Sequence, residues 1–247
     1  MRRPHLYLLA GLAVTLILFN VPYGGYVLYP FKLFATWLHE TGHGMMALVV
    51  GEDFQRMVIR ADTSGTAYHT VSGGVMARAL ITSAGYMGTS FFGAILLLAG
   101  AASERRSRLA LGAVAVAMIA VDVLFVRNLF GLFAVGAIGA ILAVVAARAP
   151  ASLASALLNL VAAQSCVNAL LDIRSLFAIG TATITGPGRS DAAALQDLLL
   201  VPYWIWAGLW MLLSAAILAG SLWIVWKREA RIARSVQARK STPFLRA

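Results

Sequence analysis

Long apolar stretches separated by short polar or basic patches set the pattern of this chain. Runs near 7–28, 31–50, 78–102, 109–126, 129–147, 152–178 and 201–226 carry few charges, and a helix needs roughly 20 such residues to cross a bilayer. They predict seven spanning helices, or six if the short runs 109–126 and 129–147, broken at Arg127-Asn128, form one tilted hairpin. Between the second and third runs the period changes. Phe54–Arg60 and Thr66–Val71 alternate β-formers around the turn-prone Asp62-Thr63-Ser64-Gly65, which predicts a β-hairpin. Residues 179–200, with Gly180, Gly186-Pro187-Gly188 and Asp191, read as a loop with a short helix starting near Ser190 or Asp191. The predicted fold is an all-α polytopic membrane protein of about six or seven transmembrane helices with a small β-hairpin-like insertion. Residues 1–247 then form a single membrane-embedded domain, with the insertion at 52–77 and a basic tail at 227–247.

Composition agrees. The chain is 60% hydrophobic and 12% charged, about half the charge of an average soluble domain. The first run follows Met1-Arg2-Arg3 but lacks a small-x-small cleavage site before Pro22, so it reads as a retained helix. Cys166 is the only cysteine, which excludes an intramolecular disulfide and a cysteine zinc cluster. The net charge of +10 comes largely from Arg105, Arg106 and Arg108 between spans and from Lys227, Arg228, Arg231, Arg234, Arg239, Lys240 and Arg246 in the tail. That is the positive-inside pattern, with both clusters expected in the cytoplasm. Contact with anionic lipid accounts for the charge without a nucleic-acid partner. Ala84-x3-Gly88 and Thr89-x3-Gly93, with Gly85 beside them, allow close helix approach, so run 78–102 is expected against run 31–50.

Chemistry enters at Leu38-His39-Glu40-Thr41-Gly42-His43, an HExxH sequence inside an apolar run where only Lys32, His39, Glu40 and His43 can carry charge. Residues four apart share a helix face, so His39 and His43 can offer both imidazoles to one metal ion, with Glu40 in reach of a metal-bound water. Ionisable groups at membrane depth are costly, which marks them as functional. Catalytic zinc takes three protein ligands and leaves a position for water. The candidates for the third are Asp122, Asp172, His69, Asp191 and Asp197. Asp172 is favoured because Asn168, one helical turn earlier, faces the same side. For Asp172 the plain alternative is an interfacial pair with Arg174, for Asp122 an interfacial acid near Arg127, and for His69 a loop hydrogen bond. Thr36, Thr41, Asn168 and His69 are candidates to line a water path.

These residues carry a resemblance. His39-Glu40-Thr41-Gly42-His43, the hairpin-like stretch, the Gly85-Tyr86-Met87-Gly88 span and the Asn168…Asp172 element together resemble the site-2 protease class of intramembrane zinc metalloproteases, in its compact bacterial form. The likeness covers about Phe31 to Arg174. It implies His39, His43 and Asp172 as ligands of Zn2+, Glu40 as the catalytic base and Asn168 as a transition-state helper. It further implies a hairpin that presents substrate in extended form, with His69 as a substrate contact, and a bacterial plasma-membrane location. The family's aspartate usually stands in a Pro-containing segment ending Leu-Asp-Gly, whereas here Leu171-Asp172 is followed by Ile173. The family's topology runs the HExxH helix from outside inward. With seven spans that leaves the basic tail outside, so either there are six spans or the orientation is reversed.

The expected function is hydrolysis of peptide bonds in or near transmembrane segments of a membrane-protein substrate. The alternative is a catalytically silent, metal-binding scaffold or regulator of the same fold, against which the presence of Glu40 speaks. A transporter is disfavoured because no paired inverted repeat is seen. The lipid bilayer is the other expected partner, and oligomeric state is open.

Overall fold

The computed structural model describes residues 13–15, 17–18, 20–179 and 190–241. Residues 7–12, 16 and 19 of run 7–28, and the Gly180 and Gly186-Pro187-Gly188 loop, lie outside the described residues. The chain forms helices α1 (Gly24–Val49), α2 (Val75–Gly100), α3 (Glu104–Phe125), α4 (Leu129–Arg148), α5 (Ala151–Ile179), α6 (Asp191–Leu199) and α7 (Tyr203–Ser241), with strands β1 (Phe54–Ile59) and β2 (Gly65–His69) between α1 and α2. Among the described residues, five helices are long and apolar enough to cross a membrane: α2, α3, α4, α5 and the first part of α7. Six or seven were expected. The predicted run 31–50 coincides with the later part of α1, which ends at Val49 and where Lys32, His39, Glu40 and His43 lower the hydropathy, and run 7–28 is described only in part.

α2 and α5 form the centre, with 50% and 67% of their apolar windows buried, against 22% for α3, α4 and α7. The outer three therefore turn most of their apolar surface outward, as lipid-facing helices do. Small residues set the tight contacts of α2. A Cβ on Gly42 of α1 would sit 2.4 Å from the Ala84 carbonyl oxygen, and one on Gly93 would meet Cys166 Sγ of α5 at 3.2 Å. The expected packing of α2 on α1 is thus present, and Cys166 is buried.

α7 runs parallel to α2. Tyr86 stacks on Trp210 with ring centroids 5.0 Å apart, and one turn further Ser90 Oγ donates to Ser214 Oγ at 2.6 Å. The basic extension of α7 therefore leaves the bundle at the end where α2 gives way to α3 and to Arg105, Arg106 and Arg108. The two basic clusters share one end.

The hairpin forms as expected, antiparallel, with Met57 opposite Ala67 and Ile59 opposite Gly65. Its turn is closed by Asp62 Oδ1, which accepts from Ser64 N at 2.9 Å and Ser64 Oγ at 2.7 Å, an Asx turn. β1 buries Phe54, Met57 and Ile59. Phe54 stacks on Phe125 at 4.0 Å, and the α3–α4 turn is tied to β1 through Asn128, which accepts from Ile59 N at 3.1 Å and donates to Ile59 O at 2.7 Å.

At the hairpin base, the Glu52 carboxylate accepts from Thr70 Oγ1, Ser72 N, Ser72 Oγ and Gly73 N. These donors, Thr70 foremost, hold its pKa at about 2 rather than 4.5. A depressed carboxylate pKa stabilises the fold above the unfolded value, and that contribution disappears as pH falls through the folded value. The wild type should therefore lose thermal stability between pH 4.5 and about 2 more steeply than Glu52→Gln, as read by melting curves of both proteins across that window.

Candidate metal centre

α1 lays Lys32, Thr36, His39, Glu40 and His43 along one face, toward a cavity of about 1270 Å3. The far walls are the hairpin from Arg60 to His69, α5 at Asn168 and Asp172, and the start of α6 at Ser190 and Asp191. Thr36 Oγ1 donates to Thr63 O at 2.6 Å, and the Tyr29 hydroxyl donates to Ala61 O at 2.7 Å, fastening the hairpin tip to α1.

The imidazoles face each other, with Nε2 of His39 and Nε2 of His43 3.0 Å apart. His43 Nδ1 lies 2.7 Å from the Ile81 carbonyl oxygen, a partner that requires the ring proton on Nδ1 and leaves Nε2 as a bare lone pair. Asp191 Oδ2 lies 3.1 Å from His39 Nε2 and 3.3 Å from His43 Nε2. It is the first residue of α6, whose N-cap Ser190 accepts from Ala193 N at 3.3 Å. Burial pushes the Asp191 carboxyl up, but the neighbouring His43 and His39 outweigh this and hold it below the usual carboxylate range.

This donor set fits zinc. Ligand atoms of a tetrahedral zinc site stand about 3.3 Å apart, and the three atoms here lie within 4.8 Å of one another. Two imidazole lone pairs brought together beside a carboxylate repel unless a cation or proton lies between them. The surrounding backbone leaves the space open: a Cβ on Gly85 would stand 2.4 Å from His43 Nε2 and 2.5 Å from His39 Nε2. Glu40, buried, sits under the hairpin, where a Cβ on Gly65 would come within 2.5 Å of its Oε1. On the α2 side, the Tyr86 ring meets the His39 ring edge-on at 4.7 Å.

The other sequence candidates are distributed differently. Asp172, favoured as third ligand, opens onto the same cavity but stands outside the converging group, and Asp191 takes that place. Asp172 stands on α5 near Lys32 and His39 without joining the imidazole pair, whereas the sequence reading favoured it as the third ligand. Asn168 is buried at the cavity wall and donates to Phe31 O at 3.3 Å, tying α5 to α1. His69 lines the cavity with its Nδ1 2.7 Å from the Thr70 carbonyl oxygen. Thr41 is buried away from the lining residues. Asp122 is buried between α3 and α4, where a Cβ on Gly136 would be 3.0 Å from its Oδ2. The Arg127 guanidinium bonds to the carbonyls of Val123, Leu124 and Val126.

Sequence reasoning counted Asp191 among the candidate third ligands, in the loop-and-short-helix stretch 179–200, and preferred Asp172. The signal available was the Ser190-Asp191 helix start, which locates an N-cap and says nothing about which cavity that helix end faces. A family model described as Peptidase M50B-like matches residues 8–221. No curated protein and no solved structure matches the chain.

Proposed function

This membrane protein belongs to the Peptidase M50B-like family, and we propose that it is a zinc protease that cuts peptide bonds in or near transmembrane segments of other membrane proteins. The observation that carries this reading is the convergence of His39, His43 and Asp191 beside buried Glu40 on the wall of a polar cavity. Those three side chains would hold the metal, and Asp191 rather than Asp172 would be the third ligand. Zinc bound there supplies Lewis acidity, lowering the pKa of a water toward about 7 and polarising the scissile carbonyl.

The protein's own groups do the rest. Glu40 takes a proton from the attacking water and later delivers it to the leaving amine. The cavity admits water through the polar lining of Thr36, Thr66, Asn168 and Ser175. Among the described residues β2 pairs only with β1, and its residues Gly65, Thr66, Ala67 and His69 line the cavity. An unwound substrate segment can add to that edge by main-chain hydrogen bonds, which fits the need to open a helix before its amides are cut. By family likeness the setting is a bacterial plasma membrane.

The test is metal removal. The protein reconstituted in vesicles with a transmembrane substrate should cut it, stop after treatment with a chelator, and resume when zinc alone is returned. Cleavage that survives complete removal of metal contradicts the reading.

A further inference from the structure

The geometry points to Tyr86 as a further catalytic residue, the hydrogen-bond donor to the oxygen of the scissile carbonyl; this rests on the protease reading above. Three observations support the assignment. Its ring stands edge-on to the ligand imidazole of His39 at 4.7 Å. It lines the cavity with Glu40, His43 and Asp191, and the carboxylates of Asp191, Asp172 and Glu40 are its electrostatic neighbours. The ring also stacks on Trp210 with centroids 5.0 Å apart and planes 19° apart, which holds it in place.

Tyr86 and Glu40 flank the imidazole pair from different elements. Glu40 lies under the hairpin at Gly65, while Tyr86 follows Gly85, whose backbone backs both Nε2 atoms. A carbonyl held between them is attacked from the Glu40 side. The water oxygen bonds to the carbonyl carbon as Glu40 takes the water proton, and the C=O π pair moves onto the carbonyl oxygen. Tyr86 donates a hydrogen bond to that oxygen without giving up its proton. The pair then returns to re-form C=O, the C–N bond breaks with its electrons on nitrogen, and nitrogen receives the proton from Glu40. A donor aimed at charge that develops only during reaction accelerates the step without tightening substrate binding.

Tyr86→Phe keeps both ring contacts and removes only the hydroxyl. Loss of one such donor lowers kcat about 100- to 1000-fold, and that fall is expected here with KM, bound zinc and melting temperature unchanged. A phosphinic peptide, whose tetrahedral anionic oxygen imitates the attacked carbonyl, should lose affinity for the variant by a similar factor. Wild-type kcat in Tyr86→Phe would show that the ring only packs, and a fall in its zinc content or melting temperature would show that the hydroxyl serves the fold; either overturns the assignment. An inactive wild type would instead sink the protease reading itself, so the two failures are separable.

Discussion

Glu40→Gln should lower kcat by about 100- to 10,000-fold, the range for loss of a general base, while zinc content stays at the wild-type level. Glutamine has the size and shape of glutamate, so the contact with the hairpin backbone at Gly65 is preserved. Only the ability to accept and return a proton is lost. The side chain is buried on the face of α1 that also carries Thr36, His39 and His43, a position that costs free energy without adding packing. Cleavage of a membrane substrate, together with metal analysis of the same preparation, decides the matter. Undiminished cleavage by the variant removes the general base from the mechanism. A wild type that binds zinc but cuts nothing favours the scaffold reading.

The second large effect separates two aspartates. Asp191→Ala should weaken zinc binding by more than about 100-fold, the upper end of what is lost when a partner one step further from the metal is removed. Asp172→Ala should leave zinc binding near the wild-type level. Asp191 Oδ2 lies 3.1 and 3.3 Å from the two imidazoles, whereas Asp172 faces the cavity outside that group. Titration of purified variants with a zinc-buffered indicator reads the difference. Equal retention in Asp191→Ala and loss in Asp172→Ala would restore the assignment made from sequence.

Much of this centre could be read without coordinates, for a local reason. His39 and His43 meet because a helix brings residues four apart to one face, and the helix itself follows from the apolar run around them. The hairpin was legible because β-formers alternate on both sides of an Asx turn at Asp62. Asn168 and Asp172 were rightly placed on one helix face, and both reach the cavity. Asp191 was not legible as the acid beside the imidazoles. It is 148 residues from His43 in sequence (191 − 43), and its approach depends on how α6 packs against α2, which no local period encodes. Gly85 was legible as a small residue for close helix approach, but that it backs the imidazoles, and that Gly65 covers Glu40, was not, because the need for a missing Cβ arises only from what lies opposite. The span count of six or seven came close to the five found among the described residues, and α1 is not among the five because Lys32, His39, Glu40 and His43 lower its hydropathy.

The most direct test of the central claim is X-ray absorption at the zinc edge of the zinc-loaded wild type. Two imidazole nitrogens with a carboxylate oxygen around the ion are predicted. A spectrum showing one imidazole, or none, would contradict the assignment of the metal to the His39–His43 turn of α1.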